Sequence, residues 1–164
     1  MIRAYRPIWA GNSKESGIKV GTIKEIKTHE YRVGLVPTSV RELTHHGHSV
    51  IVETGCAAGI GFDDDAYRQA VADIMATASE IFEAAEMIVK VKEPQPVECE
   101  MLRRGQILFT YLHLAADEAQ TRALAASDAT CISYETVTDQ HGHLPLLVPM
   151  SEVAGRMSIQ VGAR

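Results

Sequence analysis

Short apolar runs alternate with amphipathic segments along most of this chain. The apolar runs are rich in Val and Ile, carry few polar residues, and are short enough to be buried strands. They occupy residues 18–23, 49–53, 73–75, 87–91, 107–111 and 130–134. The segments between them have the length and spacing of short helices, so the pattern predicts strands and helices in alternation.

Capping residues mark where the helices begin. Ser39 with Glu42, and Thr77 with Glu80, fit the capping box, in which two side chains satisfy free backbone N–H groups. Gly47 supplies a left-handed stop after the first helix. Further helices are predicted over residues 64–72, from Asp117 to about residue 126, and from Ser151 as N-cap onward.

Near-continuous apolar strands joined by amphipathic helices are typical of parallel sheets buried on both faces. We therefore predict an α/β fold: a doubly wound, mostly parallel sheet with helices on both faces, of the Rossmann or flavodoxin type. Residues 1–17 show neither helical nor strand periodicity, and we expect a disordered extension there.

Composition narrows the possible functions. The chain has 164 residues, 46% of them apolar, and 16 basic against 21 acidic side chains give a net charge of -5. Nucleic acid is not an expected partner, because there is no basic stripe to neutralise phosphates. The sequence contains no apolar run of the length a membrane span needs and no signal-like leader, so we expect a cytoplasmic protein.

Polar residues that follow the apolar runs are the first candidates for a site, since parallel sheets bind ligands at the carboxyl ends of their strands. Arg32 can hold a carboxylate by two hydrogen bonds, Lys92 can polarise a carbonyl oxygen, and His113 can exchange a proton near neutral pH. Together they would suit a small 2-oxo or 2-amino acid. Each also has a structural interpretation: Arg32 paired with Glu30 or Glu25, Lys92 paired with Glu93, and His113 as a hydrogen-bonded core histidine.

Two other motifs are weaker. The segment 55–61 is rich in glycine, but its spacing matches no phosphate-binding loop, so we interpret it as a connection. His45, His46 and His48 lie at a predicted helix end without a partner at ligand spacing, and no metal site is predicted. Cys56, Cys99 and Cys131 are odd in number and far apart, which indicates reduced thiols.

Four longer motifs, taken in order, carry a resemblance to a known family. They are KEIK (24–27) with EYRV (30–33), VKVKEP (89–94), GQILFTYLHL (105–114), and residues 144–147 with 150–156. From about residue 18 to 163 the chain resembles the amino-terminal substrate domain of the alanine dehydrogenase and pyridine nucleotide transhydrogenase family, and bacterial L-alanine dehydrogenase in particular. Ile23 and Val71 depart from that family's pattern, which usually has proline and glycine there.

The resemblance implies an NAD-dependent oxidoreductase that interconverts L-alanine with pyruvate and ammonia. By position it makes His113 the proton donor and acceptor, and Arg32 and Lys92 the ligands of the substrate carboxylate and carbonyl. Met150 would line the site and Ser151 would touch the cofactor. The resemblance places the main NAD-binding domain, with its glycine-rich loop and a second catalytic acid, beyond this sequence.

The resemblance also implies an organisation and its alternatives. Residues 18–150 would form the substrate domain, and 151–164 the start of a helix leading to the nucleotide-binding domain. We expect this chain alone to be inactive, and the full-length family to form hexamers. A transhydrogenase-like nucleotide-binding module and a non-catalytic remnant are the alternatives; the transhydrogenase pattern has uncharged residues in place of Lys92 and His113.

Overall fold

A single six-stranded sheet forms the centre of the molecule. The computed structural model describes residues 17–163, and within them the strands are β1 (Lys19–Thr22), β2 (Ser49–Glu53), β3 (Ala72–Met75), β4 (Met87–Val89), β5 (Ile107–Thr110) and β6 (Thr130–Ser133). Their order is β3-β2-β1-β4-β5-β6, and every neighbouring pair is parallel. The predicted doubly wound α/β fold is confirmed, with a sheet that is parallel throughout the described part.

Helices cover both faces of the sheet, as predicted. They are α1 (Pro37–His45), α2 (Asp64–Gln69), α3 (Ala78–Ala84), α4 (Pro96–Cys99), α5 (Glu118–Ala126) and α6 (Val148–Gly162). On one face, α1 and α2 pack on a cluster that contains Val50 and Val52. On the other face, α3, α4 and α5 pack on a cluster that contains Ile51 and Ile88. Successive strand residues therefore enter opposite cores, as the period of two requires.

One close approach in the core depends on a glycine. A side-chain carbon added at Gly21, in the middle of β1, would lie 2.5 Å from Cγ2 of Ile81 on α3. The missing side chain lets α3 pack directly on the central strand, which accounts for a glycine inside a buried run.

The helix starts confirm two of the four capping predictions. Thr77 and Glu80 form the capping box of α3, and Asp117 accepts a hydrogen bond from the Gln120 N–H at the start of α5. The Ser39 prediction is wrong: α1 begins at Pro37, whose fixed φ suits the first helical position, and its N-cap is Val36 without a side-chain hydrogen bond.

The prediction of Ser151 as an N-cap is wrong as well. The helix α6 begins at Val148, with Pro149 in its first turn, so Ser151 is already inside the helix. The helix α2 also ends at Gln69 rather than at residue 72, because Val71 has a positive φ of 69° and stops the helix. The four-residue α4 was not predicted.

Several smaller expectations can now be placed. The predicted extension over residues 1–17 lies, apart from Gly17, outside the described residues. Between Gly17 and Ala163 there is no helix long and apolar enough to cross a membrane. The same range contains no cluster of three His, Cys, Asp or Glu residues that could hold a metal ion. Cys56 and Cys99 are buried free thiols, and Cys131 is half-buried.

Candidate active site

The strand order puts the candidate site at the switch point of the sheet. After β1 the chain builds the β2 and β3 side, and after β4 it builds the β5 and β6 side, so the segments leaving β1 and β4 diverge from adjacent strands. Such a divergence leaves a crevice at the carboxyl ends of the strands, where α/β proteins bind ligands. Arg32 lies in the segment after β1 and Lys92 in the segment after β4.

A glycine lets these two segments pack closely. A side-chain carbon at Gly34 would lie 2.4 Å from the carbonyl oxygen of Val89, the last residue of β4. The segment that carries Arg32 therefore rests directly on the backbone of β4. No larger residue could keep Arg32 at this distance from the strand end.

The side chain of Arg32 forms a two-pronged ion pair with Glu30. Its Nε lies 2.7 Å from Oε1 and its Nη2 lies 2.5 Å from Oε2 of that carboxylate. The hydrogen bonds from Arg32 lower the pKa of the Glu30 carboxyl to about 2, with a smaller electrostatic contribution from Lys92. The structural interpretation of Arg32 is therefore observed, yet its side chain remains 39% exposed and Nη1 does not contact Glu30.

Lys92 lies near the same carboxylate and not in a pair with its neighbour. Its ammonium contributes to the low pKa of Glu30, whereas Glu93 pairs with Lys27. The proposed Lys92–Glu93 pair is thus absent from the described residues. Two cations, Arg32 and Lys92, therefore lie near one carboxylate.

The backbone of His113 adopts an unusual conformation that Glu135 stabilises. It has a left-handed φ of 50°, which an L-residue other than glycine adopts at a cost. Glu135 stabilises this turn, since its carboxylate accepts hydrogen bonds from the N–H groups of His113 (2.7 Å) and Leu112 (3.1 Å). Burial raises the pKa of Glu135, but hydrogen bonds to its carboxylate, those from these two N–H groups among them, outweigh it and leave the pKa below the usual value.

The imidazole of His113 faces solvent and stacks on an aromatic ring. Its plane is tilted 12° from the ring of Tyr111, with the centroids 6.0 Å apart. The residue as a whole is exposed, so the interpretation as a core histidine is wrong. Tyr111 in turn lies near Arg32, whose charge acts to lower the pKa of the tyrosine against the effect of burial. Arg32, Tyr111 and His113 therefore lie along one edge of the sheet.

The two remaining candidates lie on α6. The sulfur of Met150 is 3.3 Å from Nη1 of Arg32, which brings the first turn of α6 over the guanidinium. Ser151 follows on the same helix and is exposed. The structure thus groups Arg32, Lys92, His113 and Met150 around the ends of β1, β4 and β5, with Ser151 at the margin.

Two cavities border this group. An apolar cavity of about 560 Å³ is lined by Val89, Tyr111 and Met150, among others. A cleft of about 200 Å³ is lined by Glu30 and Arg32, among others. Lys92 and His113 line neither, so the polar candidates stand beside the apolar cavity and not inside it.

Sequence reasoning missed two contributors. Glu135 lies 22 residues from the backbone N–H that it holds, and no local pattern connects the two. Tyr111 has a side chain that links the Arg32 and His113 regions and also donates a hydrogen bond to the Leu146 carbonyl at 2.7 Å. An aromatic residue at a strand end is a weak signal in the sequence for Tyr111. The sequence contains no such signal for Glu135.

Comparison with known proteins places this arrangement in a family. The family described as "Alanine dehydrogenase/PNT, N-terminal domain" matches residues 21–154, which is most of the chain. The chain belongs to this family. The prediction made from the four motifs is confirmed.

The relatives that match this chain are named alanine dehydrogenase, and the match covers only part of their length. The chain is 53% identical over 146 residues to alanine dehydrogenase of Halomonas elongata and 50% identical over 145 residues to that of Bacillus subtilis. These alignments cover 89% and 88% of this chain, but only 39% and 38% of the relatives. The chain therefore spans about two fifths of the length of the relatives that it matches.

Among solved structures, an L-alanine dehydrogenase is more similar to this chain than a transhydrogenase is. An L-alanine dehydrogenase superposes with a TM-score of 0.85 at 49% identity, covering 90% of this chain and 40% of that one. A transhydrogenase from Sinorhizobium meliloti gives a TM-score of 0.69 at 26% identity, covering 74% of this chain and 36% of that one. The alanine dehydrogenase interpretation is the better supported of the two.

Proposed function

We propose that this chain is the substrate-binding half of an NAD-dependent L-alanine dehydrogenase, which interconverts L-alanine and water with pyruvate and ammonia. The observation that carries the proposal is the meeting of Arg32 and Lys92 around Glu30 at the switch point of the sheet, with His113 along the same edge. The similarity to relatives named alanine dehydrogenase, at about 50% identity, supports it.

The two cations suit a 2-oxo acid because they offer different kinds of contact. Glu30 already accepts from Nε and from one hydrogen of Nη2, and Met150 accepts from Nη1, so a substrate carboxylate would take one hydrogen of Nη1 and the outer hydrogen of Nη2. Lys92, a compact charge, would then face the adjacent carbonyl oxygen. In the direction of amination, a fixed positive charge at that oxygen stabilises the negative charge that develops there when ammonia adds to the carbonyl carbon of pyruvate.

His113 would manage the proton on that oxygen. The residue is exposed, and an imidazole can act both as a general acid and as a general base. Glu135 fixes the backbone of His113, which limits where the ring can reach. We assign Glu135 the part of a positioning residue.

Among the described residues, the group that we assign to the cofactor is the exposed hydroxyl of Ser151 on α6. The sequence contains no loop with the GxGxxG spacing that binds a dinucleotide. When bound, NAD would accept the hydride from the alanine Cα; the groups that hold it are expected in the part of the relatives that this chain does not match. We therefore expect no NAD reduction by the 164-residue chain alone.

The test is a chimera in which residues 18–163 replace the matching region of the Halomonas elongata relative. Alanine-dependent formation of NADH is expected from the chimera, and His113→Ala should abolish it. His141→Ala, at an exposed turn outside the site, is the matched control and should leave the rate unchanged. Arg32→Lys should raise KM for alanine and pyruvate about tenfold or more, because one ammonium cannot replace the planar fork.

The alternatives correspond to other outcomes of this experiment. A chimera that binds NAD but is inert towards alanine would contradict the assignment of the site and favour a transhydrogenase-like or binding role. A cytoplasmic location and assembly into hexamers with the remainder of the protein stay predictions.

A further inference from the structure

Three buried charged side chains lie behind the candidate site and take no part in the proposed chemistry. Lys90, at the carboxyl end of β4, forms an ion pair with Glu98 of α4, and its Nζ lies 3.4 Å from Oε2 of Glu25. All three side chains are 1% exposed. We call Glu25, Lys90 and Glu98 the Lys90 cluster.

Burying the Lys90 cluster in the core costs free energy. Two carboxyl groups and one ammonium cannot all be charged without a buried net charge, and burial raises the pKa of Glu25 despite the attraction of Lys90. Oε2 of Glu25 has no hydrogen-bond partner among the described residues. Apolar residues of similar size often stabilise a core as well as or better than buried ion pairs do, so stability alone does not account for the cluster.

The cluster joins the two segments that carry Arg32 and Lys92, the residues proposed to bind the substrate. Glu25 belongs to the segment after β1, which also carries Arg32, and its Oε1 accepts a hydrogen bond from the Val91 N–H at 2.7 Å. Glu98 accepts one from the Gln95 N–H at 2.6 Å. Val91 and Gln95 stand on the two sides of Lys92, so the two carboxyl groups hold both ends of the short segment that carries it.

A second ion pair, at the surface, joins the same two segments. Lys27, which is 40% exposed, pairs with Glu93, the residue after Lys92. The hydroxyl of Tyr134 also donates to the Lys90 carbonyl at 2.8 Å, which fixes the root of the segment. We call the Lys90 cluster and the Lys27–Glu93 pair together the clasp.

We propose that the clasp is a positioning device that sets the separation of Arg32 from Lys92, and thereby makes the site select a carboxylate with an adjacent carbonyl over a carboxylate alone. The inference rests on the proposed function, because it assumes that these two cations hold the two ends of a 2-oxo acid. The affinity for a ligand that contacts only Arg32 should not change when the clasp is mutated. The affinity for a ligand that contacts both Arg32 and Lys92 should fall.

Pyruvate and propionate separate these two cases, since they are nearly equal in size and differ in the carbonyl. The experiment titrates each into the 164-residue chain and follows the backbone amide NMR signals. For the unmodified chain we expect propionate to bind about tenfold more weakly than pyruvate. Arg32→Met should abolish the binding of both.

Variants of the clasp should change the ratio of the two dissociation constants. Glu25→Leu removes both the Val91 and the Lys90 contacts and should bring the ratio close to one, whereas Glu25→Gln, which keeps an acceptor for Val91, should retain most of the preference. Ile51→Ala removes a buried apolar side chain of β2 and serves as a control for lost stability; it should leave the ratio unchanged. A merely structural role would make Glu25→Leu and Ile51→Ala behave alike.

Lys27→Met keeps the test decisive if Glu25→Leu does not fold, because Lys27 is at the surface. It should reduce the ratio about threefold, while Arg104→Met, which breaks the exposed pair with Asp128, should not change it. A ratio that stays within a factor of two in Lys27→Met and in any folded Glu25→Leu overturns the inference alone. An unmodified chain that binds neither ligand, together with a chimera inert towards alanine, overturns the proposed function and the inference with it.

Discussion

The candidate site is built from two regions that are held in very different ways. Arg32 and Lys92 lie on segments tied to the sheet by buried hydrogen bonds and ion pairs, among them Glu25 to the Val91 N–H. Met150 and Ser151 lie on α6, in which every described side chain is exposed. The hydrogen bond from Arg32 Nη1 to the Met150 sulfur is the link between the regions at the site itself.

In the proposed function, recognition of a carboxylate and a carbonyl depends on the relative positions of Arg32 and Lys92, and their segments are joined by the clasp. The proposed contribution of α6 comes from a helix whose described side chains are all exposed, and we expect it to be held less firmly. Mutations and pH should therefore affect the two regions differently.

Removing the ammonium at the centre of the clasp should have the largest effect. Lys90→Ala leaves the carboxyl groups of Glu25 and Glu98 buried side by side, and we expect a loss of about 3–5 kcal/mol in the free energy of unfolding, measured by urea titration. Arg104→Ala removes a side chain that is 84% exposed and paired with Asp128, and it should cost less than about 1 kcal/mol. Equal losses in the two variants would show that the first region is not held by buried charge.

Acid should weaken the first region through the Glu30–Arg32 pair. The pKa of Glu30 falls from the ordinary 4.5 to about 2 in the folded chain, so the pair stabilises the fold above pH 4.5, and this contribution is lost as the pH falls towards 2. Because Arg32 is 39% exposed, we expect only about 1–2 kcal/mol from it.

The measurement is the free energy of unfolding as a function of pH, compared between the unmodified chain and Glu30→Gln. The difference between the two should shrink across that pH window, since glutamine does not titrate. A constant difference would mean that the ion pair contributes nothing to stability.

A strained position outside both regions calibrates the scale of these effects. Val71 is β-branched, has a φ of 69° and is 73% exposed, so its conformation costs energy without a gain from burial. Val71→Gly relieves the strain but makes the unfolded chain more flexible, and the expected net gain is about 0.5–1 kcal/mol. Thermal unfolding should show a higher Tm for glycine than for Val71→Ala, which stays strained; the reverse order would refute this account.

The second region should be the least sensitive to mutation in this chain. Met150→Ala removes a side chain that is 40% exposed, and we expect the free energy of unfolding to change by less than about 0.5 kcal/mol. Urea titration beside Lys90→Ala measures the contrast directly. A loss above about 2 kcal/mol would mean that α6 is as firmly packed as the strand-end segments.

Local sequence was enough to select three residues of the candidate site, because each follows its own strand. Arg32, Lys92 and His113 come after apolar runs, and parallel sheets bind ligands at the carboxyl ends of their strands; the structure places the three at this end of the sheet, and their roles stay predictions. The clasp also has a local signal in the sequence: Lys90 lies inside the apolar run 87–91, and a buried lysine requires a charged or hydrogen-bonding partner. Its partners, Glu25 and Glu98, lie in other segments, which no local pattern identifies.

Helix boundaries show where local patterns compete. Thr77 and Asp117 cap helices as predicted, whereas at Ser39 and Ser151 a proline two residues upstream starts the helix earlier. The preset φ of proline takes the first-turn position, and the serine hydroxyl is then inside the helix, where it cannot cap.

Local side-chain periodicity and sequence motifs were enough to predict the strands, the fold class and the family. The burial that an apolar run predicts holds for the central strands, whereas β6, at one edge of the sheet, has no buried residue. Three contacts became known from the tertiary structure alone: β1 lies beside β4, Arg32 and Lys92 both lie near Glu30, and Glu135 accepts hydrogen bonds from the turn at His113. These contacts join residues brought together by the order of strands in the sheet. That order is set by the packing of the whole sheet and helices, which no single segment specifies.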